Sequence, residues 1–518
     1  MYSTRTWACV GLLALAGAMV VLLGYTGRDD SHLTYFVADH LAAGHGLVNL
    51  LGERQEQSSS LLFALLLGAC VAITRVPAAT LGPFVSAAML SGAALVAGRT
   101  ARRVGASPLV GPVACSTPAL FYWSLSGMES SLYVLLLAWL VAVLVDAQGQ
   151  ARRGQLAMVA CAALLATLTR PEAVIVLACL GAWLLLDRQP HARRRAVVTL
   201  IATGGAIALR RAAGLDVFPA PVYVKQQIAP TERLLAGLDY IVATARQLPA
   251  SSTLLVCMVS LSLWAMRRTE VDAPRRRLAQ LSLVLAGIVA GFAVLAGGDW
   301  MEAGRFFAPT FFFATLAALL LVSPRGFGAL AAGVLLASTV DVAVVARQPY
   351  GGVPLFAAAP QPTVRYVPSA VERYNTVHTR DLPFIDTMLG VIAADARPAL
   401  HVGSIQGGLV PYYVSRALGD RVRFVELYGL TSRRTQACVS HWQWDPYGDL
   451  QALSNCLGMS IDYVFDLDDA AWSRVERLRA QGCEEVFRDE RMLQGVSWKA
   501  PLAVRQFLMR CGPTEPRR

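Results

Sequence analysis

The chain has 518 residues, of which 55% are hydrophobic and only 16% are charged. Soluble domains carry about 25% charged residues, so this composition excludes an ordinary soluble protein. The formal net charge of +11 would suggest a nucleic-acid partner in a soluble chain. Here the arginines lie mostly in short loops between apolar blocks, which is the positive-inside pattern of membrane proteins and gives no support for nucleic-acid binding.

Apolar blocks of roughly 15–21 residues follow one another along the chain, and each approaches the length that crosses about 30 Å of hydrocarbon as a helix. They are 6–25, 60–74, 79–98, 107–123, 128–145, 155–169, 173–187, 196–210, 250–266, 278–297, 306–322 and 326–346. The first block follows Arg5, and no small-residue cleavage site comes after it. It is therefore predicted to be a retained transmembrane helix and not a cleaved signal peptide.

The basic loops predict the topology, because short arginine-rich loops face the cytoplasm. They are 99–103, 152–153, 193–195 and 267–277. Two blocks lie between successive basic loops, so the intervening turns face outward. This alternation between the two sides of the membrane fails once. Block 6–25 leads outward, yet both 60–74 and 79–98 precede the first basic loop, so one of them should not span the membrane. The shorter block, 60–74, is predicted to be an interfacial or re-entrant helix on the outer side. This leaves about eleven transmembrane helices, an inner N-terminus and an outer C-terminus.

The region 347–518 has a different character, with several prolines followed by mixed apolar and polar segments. Strand-like segments alternate there with helix-like segments, which indicates a small α/β domain. The predicted strands are 399–403, 422–427 and 461–465, and the predicted helices are 381–394 and 471–481.

The ten cysteines fall into two groups. Cys438, Cys456, Cys483 and Cys511 lie in the polar C-terminal region, where an even number suits two disulfides if the domain faces an oxidising compartment. The others lie in apolar segments, where cysteine usually acts as a small hydrophobe. None of the ten forms a C-x-x-C pair, so a zinc site is not expected.

An acidic pair, Asp29 and Asp30, directly follows the first apolar block. Carboxylates at a membrane boundary suit a general base that activates a hydroxyl, or a divalent cation held against a phosphate with the help of His32. A divalent cation is therefore a candidate cofactor. The structural alternative is a helix cap, since aspartate and serine favour helix ends.

Other polar residues lie in the loops that the topology places on the outer side. They are His45, Glu53, Glu56, Glu129, Arg170, Glu172, Tyr223, Lys225, Asp299, Trp300 and Arg305. Each has an ordinary explanation when taken singly. Together they gather acids and bases on one face of the membrane, which suits a lipid-linked sugar phosphate. Arg170, Lys225 and Arg305 would stabilise the departing phosphate, and a carboxylate would deprotonate the attacking hydroxyl.

The order of these motifs resembles that of a bacterial family of GT-C glycosyltransferases, the AftB-like arabinofuranosyltransferases and their relatives. The matching segments are Asp29-Asp30, Gly44-His45-Gly46-Leu47-Val48, Gly52-Glu53-Arg54, Gly127-Met128-Glu129, Thr169-Arg170-Pro171-Glu172, Tyr223-Val224-Lys225, Gly298-Asp299-Trp300, Arg305-Phe306, Pro411-Tyr412-Tyr413 and Glu426-Leu427-Tyr428-Gly429-Leu430-Thr431. The chain departs from the family pattern at His32, at Leu50 and Leu51, and at Gln57. These departures affect the predicted identity of the transferred sugar more than the predicted type of reaction.

The resemblance implies a polytopic α-helical GT-C membrane protein with an active site that faces the periplasm. With the change in composition near residue 347, this predicts a transmembrane catalytic domain over 1–346 and a periplasmic α/β domain over 347–518. It implies a multi-pass protein of the bacterial inner membrane. It further implies inverting transfer of a sugar, arabinofuranose being one candidate, from a polyprenyl-phosphate donor to a glycan or protein acceptor. Asp29 or Asp30 would be the base, assisted by Glu129, with Tyr223 near the donor.

Two alternatives remain open at the level of sequence. A transporter or flippase of lipid-linked glycans would be expected to show inverted repeats and mid-membrane charges, and neither is recognisable. A GT-C-like polymerase or ligase that moves preassembled glycans is poorly distinguished by these signals, although the motif order favours transfer of a single sugar.

Overall fold

The computed structural model describes residues 29–146, 153–189, 191–225, 229–267, 271–299, 301, 303–347, 381–439, 447–467, 471–493 and 502–512. The first predicted transmembrane segment, 6–25, lies outside these residues, as does most of the proline-containing stretch that follows residue 347. In chain order the helices are α1 (Asp29–Ala42), α2 (Leu61–Thr74), α3 (Ala78–Arg103), α4 (Val110–Cys115), α5 (Pro118–Leu125), α6 (Ser130–Asp146), α7 (Arg153–Thr169), α8 (Ala173–Leu186), α9 (Ala192–Ala212), α10 (Ala220–Lys225), α11 (Pro230–Gln247), α12 (Pro249–Met266), α13 (Ala273–Leu295), α14 (Ala308–Leu321), α15 (Pro324–Arg347), α16 (Leu382–Ala394), α17 (Leu409–Leu418), α18 (Arg433–Cys438), α19 (Leu450–Leu457) and α20 (Ala471–Ala480). The strands are β1 (Leu400–Ser404), β2 (Val422–Glu426), β3 (Tyr463–Asp466), β4 (Cys483–Leu493) and β5 (Leu502–Cys511).

These elements form two compact units. The first unit is helical and takes most of the chain between residues 80 and 347. The second unit is discontinuous in sequence, because it combines 381–512 with 29–79 and 218–225. The first predicted outer loop is the segment between blocks 6–25 and 60–74, and it is called the first loop below. Its described residues and helix α2 therefore belong to the same unit as the C-terminal α/β fold.

Membrane-spanning helices are present in the described part of the chain, which makes the protein a multi-pass membrane protein. Four helices, α3, α12, α13 and α15, are long and apolar enough to cross a bilayer. Several apolar helices are shorter, including α2, α6, α7 and α8. The predicted total of about eleven spans and the interfacial placement of α2 stay predictions.

One predicted block, 107–123, is not a single helix. It is broken into α4 and α5 around Ser116 and Thr117, directly before Pro118. Thr117 has the extended angles φ −60° and ψ 135°. The proline ring disfavours a helical conformation in the preceding residue and removes one backbone donor. The apolar composition hid this break, because composition does not register the geometry of one residue.

Arginines of the predicted cytoplasmic loops bind the carboxyl ends of neighbouring helices. Arg195 donates from Nη1 to the carbonyl of Leu144 in α6 at 3.1 Å. Arg275 donates from Nη2 to the carbonyl of Val322, just beyond α14, at 2.7 Å. The carboxyl end of a helix carries partial negative charge and unpaired carbonyls. These basic residues, from which the topology was predicted, therefore join the helix ends.

A buried carboxylate joins two of the long apolar helices. Asp341 in α15 is 0% exposed. Its Oδ1 accepts the N–H of Ala250 at 3.0 Å, and its Oδ2 accepts the N–H of Ser251 at 2.7 Å. Both donors lie in the first turn of α12, where backbone N–H groups lack partners within the helix. Asp341 thus acts as an N-terminal cap supplied by another helix.

Replacing Asp341 by alanine is expected to lower the free energy of unfolding by about 1–3 kcal/mol, because two buried donors lose their acceptor. Asp341→Asn keeps one acceptor and should lie in between. The control is Ser338→Ala on the same helix, whose hydroxyl bonds only to Val334 within α15 at 2.7 Å. It should cost about 0.5 kcal/mol or less. Unfolding midpoints in lipid bicelles measure this, and equal losses for the Asp341 and Ser338 variants would contradict it.

The α/β part of the second unit contains a five-stranded sheet in the order β2-β1-β3-β5-β4. Strands β1, β2 and β3 are parallel, and β5 is antiparallel to both β3 and β4. The three predicted strands and both predicted helices of this region are confirmed within a few residues. The hairpin of β4 and β5 was missed, because β4 lies at the sheet edge and carries charged residues that lower the strand signal.

Two disulfides connect the four C-terminal cysteines. Cys438 pairs with Cys456, and Cys483 pairs with Cys511 across the hairpin. The expectation that this even number suits two disulfides is confirmed. The remaining cysteines of the described chain form no disulfide, and they lie in the apolar helices. A disulfide-bonded domain is typical of proteins outside the reducing cytoplasm.

Candidate functional site

Two buried arginines of the first unit are each paired with carboxylates. Arg170, directly after α7, donates from Nη1 to Glu129 Oε1 at 2.8 Å and from Nε to Glu172. Arg305 donates from Nε to Asp299. Both arginines are 7% exposed, and Asp299 is 0% exposed. These five residues were all predicted from sequence, and the structure brings them together because α6, α7, α13 and α14 begin or end at their turns.

Aromatic rings lie between and beside the two guanidinium groups. The Arg170 and Arg305 guanidinium carbons lie 5.4 and 5.5 Å from the centre of the Phe306 ring. Tyr133 lies near Arg170 and Trp123 near Arg305, at 5.9 and 5.6 Å. These distances fall within the range of attractive cation–π contacts. The rings hold two like charges close to each other in a region with little water.

A recess opens beside this cluster. Its lining residues are Ser130, Tyr133, Arg170, Glu172, Val289, Phe292, Arg305, Phe306 and Pro309. Within the described chain, the buried hydroxyls of Ser130 and Tyr133 have no hydrogen-bond partner. Buried polar groups are nearly always satisfied in folded proteins. The recess therefore combines an apolar wall, two cations and two hydroxyls that a polar ligand would satisfy.

The acidic pair belongs to the second unit. Helix α1 begins at Asp29, and Asp29 Oδ1 accepts the N–H of Leu409 at 2.7 Å. Leu409 is the first residue of α17, so the carboxylate caps that helix. Asp30 follows in the first turn of α1 and is half-buried. Asp29 and Asp30 are thus placed against the α/β fold, whereas the arginine cluster belongs to the helical unit.

Helix α1 and the segment after it are bonded to the α/β fold at further points. Asp39 Oδ2 accepts the hydroxyl of Tyr412 in α17 at 2.8 Å. The carbonyl of Leu50 accepts the N–H of Phe424 at 3.0 Å. Because Phe424 lies in the edge strand β2, this bond attaches the first loop to the edge of the sheet.

The Gly-Glu-Arg motif of the first loop lies in the same interface. Asn49 donates from Nδ2 to the carbonyl of Thr431 at 3.1 Å. Glu53 Oε2 accepts the Ser432 hydroxyl at 2.8 Å and also the Asn49 amide at 2.8 Å. Glu53 is therefore placed in a structural interface of the second unit. Sequence reasoning had no signal that Asn49 and Glu53 would contact Thr431 and Ser432.

The two predicted histidines lie in different environments. His32 is 0% exposed, and its ring centre lies 5.1 Å from that of Tyr35 and 5.3 Å from that of Tyr412. His45 is exposed in the turn after α1. Glu56 is buried at 4% exposure. His32 thus contributes to an aromatic core between α1 and α17.

Tyr223 lies in α10 of the second unit. The Arg433 guanidinium lies 3.9 Å from the centre of its ring, and Arg433 is exposed. Lys225 is the last residue of α10, and its side chain is outside the described part of the structure. Trp300 is likewise outside the described residues.

A metal site of several ligands is not formed by the described residues. No group of three or more histidine, cysteine, aspartate or glutamate side chains in them is arranged to hold a metal ion. The candidate set Asp29, Asp30 and His32 lies within the described chain and does not form such a group. The carboxylates of Glu129, Glu172 and Asp299 bind arginines.

Glu426, at the end of β2, is a buried carboxyl group with an unusual proton affinity. It is 3% exposed and receives backbone N–H bonds from Tyr428 and Leu430. Burial raises its pKa from the ordinary value of 4.5 to about 7, although the backbone donors oppose this change. The carboxyl group is thus protonated over a pH range in which the unfolded chain is ionised.

The stability of the second unit is expected to fall as the pH rises from about 5 to about 7. Glu426 in the unfolded chain releases its proton near pH 4.5, whereas the folded chain holds it up to about pH 7. The free energy of unfolding is therefore highest below about pH 4.5. It falls by up to about 3 kcal/mol as the pH rises above about 7. Glu426→Gln removes the titration, so its stability difference from the wild type should change between pH 5 and pH 8.

The control for the Glu426 measurement is Glu476→Gln. The Glu476 side chain is 68% exposed and pairs with Arg479 on the surface of α20. Its difference from the wild type should stay constant over the same pH range. A constant difference for Glu426→Gln as well, measured by thermal unfolding of the purified protein, would refute the expectation.

Comparison with known proteins identifies the architecture. No protein-family model and no curated protein matches the sequence. The fold is similar to crystal structures of ArnT from Cupriavidus metallidurans, one in the apo state and one bound to undecaprenyl phosphate. Each has a TM-score of 0.55 and 13% sequence identity, covers 98% or 99% of this chain, and is itself covered completely.

The chain has the ArnT fold. The predicted polytopic helical architecture agrees with this fold, and the assignment to the GT-C glycosyltransferases stays a prediction. At 13% identity the likeness to ArnT concerns the fold. The closer resemblance to AftB-like arabinofuranosyltransferases stays a prediction.

Proposed function

We propose that the protein is an integral membrane glycosyltransferase that moves one sugar from a polyprenyl-phosphate donor to an extracytoplasmic glycan or protein acceptor. The observation that carries the proposal is the ArnT fold, which extends over 98% of the chain. One of the ArnT structures contains undecaprenyl phosphate. The ordered set of GT-C motifs, from Asp29 to Thr431, supports the same assignment.

The recess beside the arginines supports a lipid-phosphate ligand. Val289, Phe292 and Phe306 on its wall suit an isoprenoid chain. Arg305 contacts the Met128 sulfur through Nη1 at 3.6 Å, and a phosphate oxygen is a much stronger acceptor than a thioether. An incoming phosphate would therefore displace a weak contact.

Charge balance sets how the phosphate would bind. The cluster holds three carboxylates, on Glu129, Glu172 and Asp299, against two guanidinium groups. Because the carboxylates outnumber the guanidinium groups, we expect phosphate binding to exchange part of an arginine's carboxylate contacts as well as to displace the Met128 sulfur. This arrangement favours reversible binding of phosphate, as product release demands.

The proposed reaction is a single inverting displacement. A carboxylate of the acidic pair takes the proton of the acceptor hydroxyl. The acceptor oxygen attacks the anomeric carbon as the bond to the phosphate oxygen breaks, and polyprenyl phosphate leaves with both bonding electrons. The order of motifs assigns stabilisation of the phosphate to Arg170, Lys225 and Arg305 and contact with the donor to Tyr223, and Glu129 orients Arg170.

The two disulfides support an extracytoplasmic orientation for the second unit. They connect cysteines of the C-terminal region, and such bonds persist in oxidising compartments. The proposed location is the bacterial inner membrane with the α/β fold in the periplasm. Alkylation of the four cysteines only after reduction, in intact cells treated with an impermeant maleimide, tests this orientation.

The test of function uses purified protein in liposomes with undecaprenyl-phosphate-linked sugars and an oligosaccharide acceptor panel. The expected result is release of undecaprenyl phosphate with formation of one new glycosidic bond per donor. Arabinofuranose is the first sugar to test because of the AftB-like motifs. Transfer of the lipid-linked sugar to the other leaflet without release of undecaprenyl phosphate would instead identify a flippase.

A further inference from the structure

A glycine-rich turn in the α/β fold has the form of an anion site. The turn Ser404-Ile405-Gln406-Gly407-Gly408 connects β1 to helix α17. Strand β1 is paired in parallel with β2 on one side and with β3 on the other, so the chain leaves β1 at a point where the strand order reverses. In open parallel sheets, phosphates bind at such turns against the first N–H groups of the following helix.

In this protein a carboxylate of the same chain occupies that position. Asp29 Oδ1 accepts the N–H of Leu409, the first residue of α17, at 2.7 Å. A β-carbon on Gly408 would lie 2.2 Å from Asp29 Oδ1 and 2.2 Å from the Asp29 carbonyl oxygen. Only glycine at position 408 therefore permits this approach.

Other contacts fix the remainder of α1 on the same helix. Asp39 accepts the Tyr412 hydroxyl at 2.8 Å, and Arg416 Nη1 lies 3.6 Å from Asp39 Oδ2. Both ends of α1 are thus attached to α17, with the His32 ring packed between them against Tyr412. The orientation of α1 about its axis is set by these contacts, and with it the direction of the residue that follows Asp29.

We infer that Asp29 is a positioning residue whose carboxylate occupies the anion site at the start of α17. Its contact with α17 holds Asp30 in place as the catalytic base. This inference rests on the proposed function and divides the roles of the acidic pair. The carboxylate of Asp29 is engaged as the cap of α17, where its Oδ1 accepts the N–H of Leu409. Asp30, one residue later, is the carboxylate assigned to the acceptor hydroxyl.

Asparagine and alanine at position 29 separate a cap from a base. Asparagine caps helices about as well as aspartate, but its amide does not accept a proton. Asp29→Asn is therefore expected to keep the transfer rate within about threefold of the wild type, and Asp29→Ala to lower it about tenfold. If Asp29 were the base, both variants would lose about 100-fold or more, and that result would overturn the inference.

Gly408→Ala provides a second route to the same contact. It should lower the rate about as much as Asp29→Ala, and the double variant should be no slower than either single variant, because both remove one interaction. Gly390→Ala in α16, where an added β-carbon meets nothing within 4 Å, is the matched control. Fully additive losses would overturn the inference.

Hydrogen exchange supplies a readout that does not depend on activity. The Leu409 amide should exchange about tenfold faster or more in Asp29→Ala and Gly408→Ala, and at the wild-type rate in Asp420→Ala, which removes an exposed carboxylate after α17. Unchanged exchange in Asp29→Ala would contradict the docking itself. If the wild type transfers no sugar, the proposed function fails while the exchange experiment still decides whether Asp29 is docked on α17.

Discussion

Replacing Asp30 by asparagine is expected to lower the rate of glycosyl transfer by at least about 100-fold with little change in donor KM. General-base catalysis contributes roughly 10²–10⁴ to rate, and an amide in place of the carboxylate removes proton transfer while preserving size. The effect should appear in kcat, because the base acts on the acceptor hydroxyl and not on the donor phosphate. Release of polyprenyl phosphate by the reconstituted variant measures it.

Folding must be separated from chemistry in this experiment. Asp30 is half-buried in the first turn of α1, and a conservative amide should leave the unfolding midpoint close to that of the wild type. Asp29→Asn is the matched control, since it makes the same chemical change one residue away. Full activity of Asp30→Asn beside an inactive Asp29→Asn would reverse the assignment of the base.

Replacing Arg170 by methionine is expected to destabilise the helical unit by about 3–5 kcal/mol, because it leaves two carboxylates without their buried partner. Arg170 is bonded to Glu129 and Glu172, whose side chains are 2% and 11% exposed. The triple variant Arg170→Met, Glu129→Gln, Glu172→Gln should recover much of the loss, since it removes all three charges together. Unfolding midpoints in lipid bicelles provide the measurement.

Arg153→Met is the control for the Arg170 variant. Arg153 begins the same helix, α7, which Arg170 follows, and it is exposed. Its replacement should cost about 0.5 kcal/mol or less. Loss of donor binding in a folded Arg170→Met protein would further support the phosphate role, whereas a variant with unchanged stability and unchanged donor KM would contradict both expectations.

The sequence predicted the α-helical blocks and the parallel strands because each has a local signal. Apolar runs and short strands flanked by turn residues are visible within a window of about 20 residues. The break at Thr117 was missed because it depends on the angles before one proline. The edge strand β4 was missed because its charged residues resemble a solvated loop.

At the site too, contacts that follow from local sequence patterns and topology were predicted, and contacts between distant parts of the chain were not. The meeting of Glu129, Arg170 and Arg305 followed from topology, since alternating helix ends return to one face. The bond from Asp29 to Leu409 had no local signal, because its partners are separated by 380 residues in the chain. The acidic pair was read as two equivalent carboxylates, and only the packing of α1 on α17 distinguishes them.

The docking of the first loop on the α/β fold also constrains biosynthesis. Asp39 and Asn49 leave the ribosome early, yet their partners Tyr412 and Thr431 are 373 and 382 residues further on. The loop must therefore wait for its partners until residues 412 and 431 have been translated. A nonsense mutation ahead of these partners would leave the N-terminal loop unassembled and exposed to proteolysis.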